Sequence, residues 1–282
     1  YIIRGNRGTL HYFVMAVWSA PQPPDLGERN WSTAGVSGLS EFDPSNLSTT
    51  SFLMSDDITF DDNGNFQVTV SQQQPNGDWL VLSPDSTGVL IRTVHHDRNK
   101  EIAPSFSIER VDQPIPQPVQ AGQMSEGLAK AAQTVFGYAE LVRDWWHNNL
   151  GQRPNTIVFS EATYLSNGGV LDRLHGFGGW DKPKGQALLV EFTPPQCESW
   201  ILQVCNLSQE NLDCYEEGQG YVNKFTAKYQ ADGLVRAVIA DKDPGITGCN
   251  WINSYQHEKG VFSLRLIKTE GGPKVRIFPV NL

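Results

Sequence analysis

Between Gly248 and Gly260 the chain reads GCNWINSYQHEKG, a stretch that gathers a Cys, two Asn, a Trp, a Tyr and a His between two glycines. An imidazole with an ordinary pKa near 6.5 suits general acid–base work, which makes His257 the first candidate for chemistry. Asp243 and Asp213 are the carboxylates expected to orient it, with Glu258 also near in sequence. Asn223, Asn250 and Asn253 are the expected hydrogen-bonding groups for a ligand, and Trp251 and Trp180 its expected walls. A few polar groups set among aromatic surfaces is the usual make-up of a small-molecule pocket. The same residue types also build turns: Asx side chains bond nearby backbone, an indole fills core, and a His caps a strand end. Both readings apply to this stretch.

Other groupings carry less chemistry. In VHHDR (Val94 to Arg98) the two histidines are adjacent, and neighbouring strand residues point to opposite faces, so His95 and His96 do not chelate one ion together. Cys197, Cys205, Cys214 and Cys249 lack C-x-x-C and zinc spacing, so no metal or cofactor is expected and buried free thiols are the favoured state. No G-x-S-x-G elbow, P-loop or G-x-G-x-x-G occurs. LHGFGGWDKPKG, with His175, Trp180 and Asp181, reads as a flexible Gly-rich connector of the kind that serves as a lid or as a plain link.

The chain has 282 residues and a formal charge of -9 without a basic cluster, so nucleic acid is not an expected partner. Its longest apolar run, about Tyr12 to Trp18, is far short of the ~20 residues that a spanning helix needs, so membrane insertion is not expected either. Eight Trp and 13 Phe predict a folded, soluble chain.

Most segments have β character. DDITFDDNGNFQVTV predicts a hairpin turning on Asp-Asn-Gly, and GVLIRTV, SFSIERV, ALLVEF, SWILQVC, LVRAVIAD, VFSLRLI and KVRIFPV read as strands. Residues 19–56 read as a long polar loop. One amphipathic helix is predicted over 124–150, with Ser125 as its cap and Leu128, Ala131, Val135, Tyr138, Val142 and Trp145 on one face. The two β regions also match each other. Each has a Gly turn, a Val-rich strand, a polar loop ending in Trp and a Gly-Val opening the next strand, and Trp79 and Trp251 each lie nine residues before that Gly. Asp85 and His257 fall at the same place, six residues after the tryptophans.

The fold class expected is therefore mainly β, with two related antiparallel β-sandwich or jelly-roll-like halves and one long amphipathic helix between them. Residues 1–112 form the first half. Residues 113–185 hold a linker, the helix and the connector, and residues 186–282 form the second half.

The second half resembles domain-of-unknown-function family 1214. The residues that carry the resemblance are ALLVEFTPPQCESWILQVCN, ENLD, VNKFTAKYQADGLVRAVIADKDPG and CNWINSYQHEKGVFSLRLI. In that family N-W-[LI]-D-x-x-x-H-x-x-G follows a D-P-G. Here Asn253 stands where the family has Asp, and Phe225 where it often has His. The resemblance implies a jelly-roll-like fold and leaves the biochemical role open. The functional expectation is a small-molecule ligand bound or transformed in a loop-end cleft, with His257 as acid or base. The alternatives are a non-catalytic interaction module, with self-association as one form, and carbohydrate recognition.

Overall fold

The computed structural model describes residues 1–19, 48–112, 115, 118–166, 169–212 and 218–282. They form two compact units, Tyr1–Phe136 with Leu165–Val170, and Gly137–Tyr164 with Leu171–Leu282. The fold is mainly β.

The first unit contains β1 (Ile2–Asn6), β2 (Tyr12–Ser19), β3 (Ser48–Met54), β4 (Asn65–Ser71), β5 (Trp79–Val81), β6 (Ser86–Val94) and β7 (Ser105–Glu109). β5, β4, β1 and β7 make one sheet in that order, and β3, β2 and β6 the other. Strand alternation sends Phe66, Val68 and Val70 of β4 and Phe13, Met15 and Val17 of β2 into one shared core. The two sheets are thus the layers of a sandwich. The long loop expected over 19–56 is shorter than that, because Ser48–Met54 pairs with β2; residues 20–47 lie outside the described residues.

The second unit contains β8 (Val158–Phe159), β9 (Arg173–Asp181), β10 (Ala187–Phe192), β11 (Ser199–Cys205), β12 (Tyr221–Asn223), β13 (Val235–Ala240), β14 (Asn250–Asn253), β15 (Lys259–Ile267) and β16 (Arg276–Val280). One sheet runs β14-β13-β10-β16 and the other β12-β11-β15-β9-β8. Trp200, Leu202, Phe262, Leu264 and Leu266 meet Leu188, Val190, Ala237 and Ile239 in the core between them.

Strand by strand the pairings of the units agree. β1 and β10 each lie between two antiparallel partners, and in both units the strand carrying the Trp runs parallel to its neighbour, β5 on β4 and β14 on β13. The register agrees as well. Thr69 faces Trp79 and Ile2, and Val238 faces Trp251 and Leu189. Both hairpins turn on a glycine, Gly64 at φ 79° and Gly233 at φ 82°, whose N–H closes onto Asp61 O and Gln230 O at 2.9 Å each.

The second unit departs from the first by adding β9 and β8 beyond β15. This corrects the reading of LHGFGGWDKPKG as a loop, since all nine residues of β9 pair with β15. Its glycines are there for close approach. A Cβ on Gly178 would meet Thr156 O, and one on Gly179 would meet Leu150 O and the Trp146 ring.

The helix α1 (Ala121–Asn148) begins three residues before the expected start and ends two before the expected end. Gln123 Oε1 accepts from Gln120 N at 3.0 Å at its start, so Ser125 lies within the helix and is not its cap. Val142 is buried, and Trp145 and Trp146 pack with Leu150, Cys205 and Val261. The expected apolar stripe is not buried throughout: Leu128 is 64% and Val135 71% exposed. A second helix, α2 (Glu161–Ser166), is short. Among the described residues no helix is long and apolar enough to cross a membrane.

Candidate functional site

GCNWINSYQHEKG contains strand β14 and a tight turn. Tyr255 and Gln256 take φ of 47° and 65°, and His257 N donates to Ser254 O at 2.9 Å to close the turn. Asn250 donates through Nδ2 to Lys228 O and Arg236 O, both at 2.9 Å, and accepts Lys228 N at 2.7 Å. Trp251 Nε1 donates to Ala240 O at 2.9 Å. Asn253 Oδ1 accepts Tyr255 N at 2.8 Å. Each of these side chains is bonded to backbone, as Asx and indole groups in turns commonly are.

The other expected residues are also placed. Asn223 accepts from Phe225 N at 2.9 Å, Thr226 N at 3.0 Å and Thr226 Oγ1 at 3.1 Å, which caps the turn of NKFTA. Trp180 is fully buried and donates to Cys205 O at 3.0 Å, so its indole is core and not a wall open to a ligand. Asp243 is exposed and accepts Gly245 N at 2.9 Å. His257 is exposed, and Asp213 lies outside the described residues. Cys197, Cys205 and Cys249 are free thiols, and among the described residues no group of three His, Cys, Asp or Glu could hold a metal.

A second cluster lies on the outward face of the five-stranded sheet. In β15, Phe262, Leu264 and Leu266 point into the core, so Ser263, Arg265 and Ile267 point the other way. Register puts His175 of β9 directly opposite Arg265, and Arg173 opposite Ile267. Ile201 of β11 faces Arg265 from the other side. His175 Nε2 and Ser263 Oγ are 2.7 Å apart, and both side chains are buried. The rings of His175 and Phe177 stack at 3.6 Å between centroids, Trp145 lies 5.2 Å from Phe177, and Tyr164 lies 6.0 Å from His175.

Arg265 stands opposite His175 at the centre of this cluster. It is exposed to solvent, and no hydrogen bond or ion pair joins it to a described residue. Its pKa is lowered, first by the protein that surrounds it and also by the positive charge of Arg173; Cys205 and Tyr164 act in the opposite sense. Burial pushes the neighbouring Cys205 thiol up to about 11, which makes it an inert core thiol and not a nucleophile.

The arrangement suits recognition. A guanidinium presents forked N–H donors to an oxyanion, and the aromatic rings beside it offer a flat apolar surface. His175 and Ser263 resemble a base and hydroxyl in contact, but both are enclosed. Sequence reading had the parts without the assembly. Alternation in VFSLRLI could have placed Arg265 opposite the leucines, but its pairing with His175 depends on a strand 90 residues away.

No protein-family model matches the chain, and no curated protein matches it. Among solved structures it is similar to an uncharacterised protein from Burkholderia cenocepacia, with a TM-score of 0.83 and 25% identity over 99% of this chain and 72% of that one. The VPA0106 protein from Vibrio parahaemolyticus matches with a TM-score of 0.46 and 8% identity over 98% of this chain and 85% of the other. The first likeness agrees with the mainly β fold described above.

Proposed function

We propose that this chain is a small-molecule-binding protein whose site is the outward face of the five-stranded sheet in the C-terminal unit. The observation that carries the reading is the solvent-reaching Arg265, set between His175 and Ile201 and joined by no hydrogen bond or ion pair to another described residue. An Arg placed there contributes little to folding and is available to a ligand. The test is a fragment screen read by the methyl NMR signals of Ile201 and Ile267, which flank Arg265. Binding at this face moves them; hits that move only signals elsewhere would refute the assignment.

Catalysis at the loop end remains a distinct proposal, with His257 as acid or base. It has less support, because Asn250, Asn253 and Trp251 spend their polar groups on the backbone. His257→Ala with unchanged turnover of an identified substrate would remove it.

One observation favours a second reading, an interaction module that self-associates. On α1 the residues Leu128, Val135 and Val142 recur every seven positions, with Met124, Ala131, Tyr138 and Trp145 offset by three, and Met124, Leu128 and Val135 are more than half exposed. This is coiled-coil spacing. A molar mass by light scattering that doubles with concentration, and falls to the monomer in Leu128→Glu, would support it; a monomer throughout would end it.

The matched pairings of the two units support an internal duplication of one jelly-roll-like β unit, in keeping with the resemblance of the second half to domain-of-unknown-function family 1214.

A further inference from the structure

We propose that β6 pairs edge to edge with the β6 of a second copy of this chain, antiparallel and centred on Leu90, so that the two three-stranded sheets join into one. This edge shares no residue with the Arg265 face or with α1.

The second unit shows what the first leaves open. β6 pairs antiparallel with β2 as β15 pairs with β11, and Arg92 faces Val14 as Arg265 faces Ile201. β15 has β9 in register along its other side, whereas among the described residues β6 pairs with β2 alone. All of β15 is buried except Lys259 and Arg265, and no residue of β6 is buried. A strand in that position shows a row of N–H and C=O groups to any strand that can align with it.

Most of the other edges are blunted. β16 carries Pro279, and β14, β12, β8 and β5 have four residues or fewer. β6 has nine residues, contains neither Pro nor Lys, and keeps an unbroken register with β2 from Gly88 to Val94. Short strands, lysine and proline are the usual guards against edge pairing, and β6 lacks all three.

The occupant follows from the sequence of β6, which fits its own reverse. With Leu90 at the centre, all nine residues from Ser86 to Val94 find a partner in the second copy. Val89 and Ile91, which pack on the core of the first unit, face each other across the pair. Thr87 then faces Thr93, and Leu90 faces Leu90, so like meets like on each face. Arg92 is the one charge in the strand, and it faces Gly88 of the other copy, so the two guanidinium groups do not meet. Gly88 has open space where a Cβ would stand, which leaves room for the long side chain. Asp85, bonded to Ser19 Oγ at 2.8 Å, stands just before the strand, so antiparallel pairing brings the acidic start of one copy beside the basic end of the other.

The experiment is light scattering of the whole chain over a range of concentrations, repeated on Gly88→Lys and Gly88→Glu. The wild type is expected to pass from monomer to dimer as concentration rises. Gly88→Lys sets a cation opposite Arg92 and should raise the dimer Kd by about tenfold, because the symmetric pairing repeats the contact twice. Gly88→Glu sets a carboxylate there and should lower it. Leu90→Cys, opposite itself in this register, should give a disulfide-linked dimer on mild oxidation in excess of any that the wild type forms. If Gly88→Lys does not fold, Gly88→Glu and Leu90→Cys decide the matter. A monomer at every concentration would overturn the proposal, and so would a dimer whose Kd is the same in both Gly88 variants or that Leu90→Cys does not cross-link. A dimer that Leu128→Glu abolishes and the Gly88 variants leave unchanged would assign self-association to α1 instead.

Discussion

Trp79 and Trp251 hold the same bond in different units. The first donates through Nε1 to Ser71 O at 3.0 Å and the second to Ala240 O at 2.9 Å, each reaching the strand that runs parallel beside it, two residues beyond the position the Trp faces. The indole ties two parallel strands at the edge of each sheet, where a lone Trp would otherwise be held by packing alone. Trp79→Phe and Trp251→Phe keep most of the apolar surface and lose the bond, so each is expected to cost about 1 kcal/mol. Urea unfolding checks this. A cost near zero for one and not the other would mean that the shared bond lacks a shared role.

The two glycines nine residues further on are predicted to behave differently. Gly88 has open space where a Cβ would be, whereas a Cβ on Gly260 would meet Cys205 O and the Trp180 indole. Trp180 belongs to β9, for which the first unit has no counterpart. Gly88→Ala should therefore leave stability within about 0.5 kcal/mol of wild type. Gly260→Ala should cost several-fold more, about 2–3 kcal/mol, as expected for overpacking in a filled core. Thermal unfolding of the two variants side by side reads the difference directly.

Asp241 gives the second unit a pH dependence. Burial raises its pKa, but the hydrogen bond from the Ser254 hydroxyl and the Lys182 ammonium at 3.4 Å outweigh that and leave it below the ordinary 3.8. A carboxyl with a depressed folded pKa contributes stability above its unfolded value, and that contribution is lost as pH falls through the folded value. Asp241→Asn should thus be less stable than wild type at neutral pH. The gap should close below about pH 4 as wild-type Asp241 takes up its proton. Denaturant midpoints measured from pH 7 to pH 2 would show the two curves converging; a constant gap would mean that the carboxylate charge is not what stabilises the turn.

Much of the frame was legible in sequence because its signals are local. Asp-Asn-Gly and Ala-Asp-Gly announce the matched hairpins, and alternation in NFQVTVS and VFSLRLI gives the buried faces. Glycine-rich β9 was not legible, because strand propensity counts side chains and here it is their absence that lets Thr156 and Leu150 come close. The Asn and Trp residues of GCNWINSYQHEKG drew attention by type, yet their hydrogen bonds are those of a turn. Arg265 drew none. A single Arg in a strand carries no signal until the register sets Arg173 and His175 beside it.

An arginine kept for a ligand should not be needed for folding. Arg265→Met removes a cation that bonds no other described residue and lies next to Arg173, so the variant is expected to unfold no lower than wild type and up to a few degrees higher. A fall of about 4 °C or more, equivalent to about 1 kcal/mol, would give Arg265 a structural role.

The most direct measurement is a crystal structure of the chain soaked with a fragment library, in which bound fragments are predicted to lie on the outward face of the five-stranded sheet in contact with the Arg265 side chain. Clear density for fragments elsewhere on the protein, with the Arg265 face unoccupied, would contradict the account.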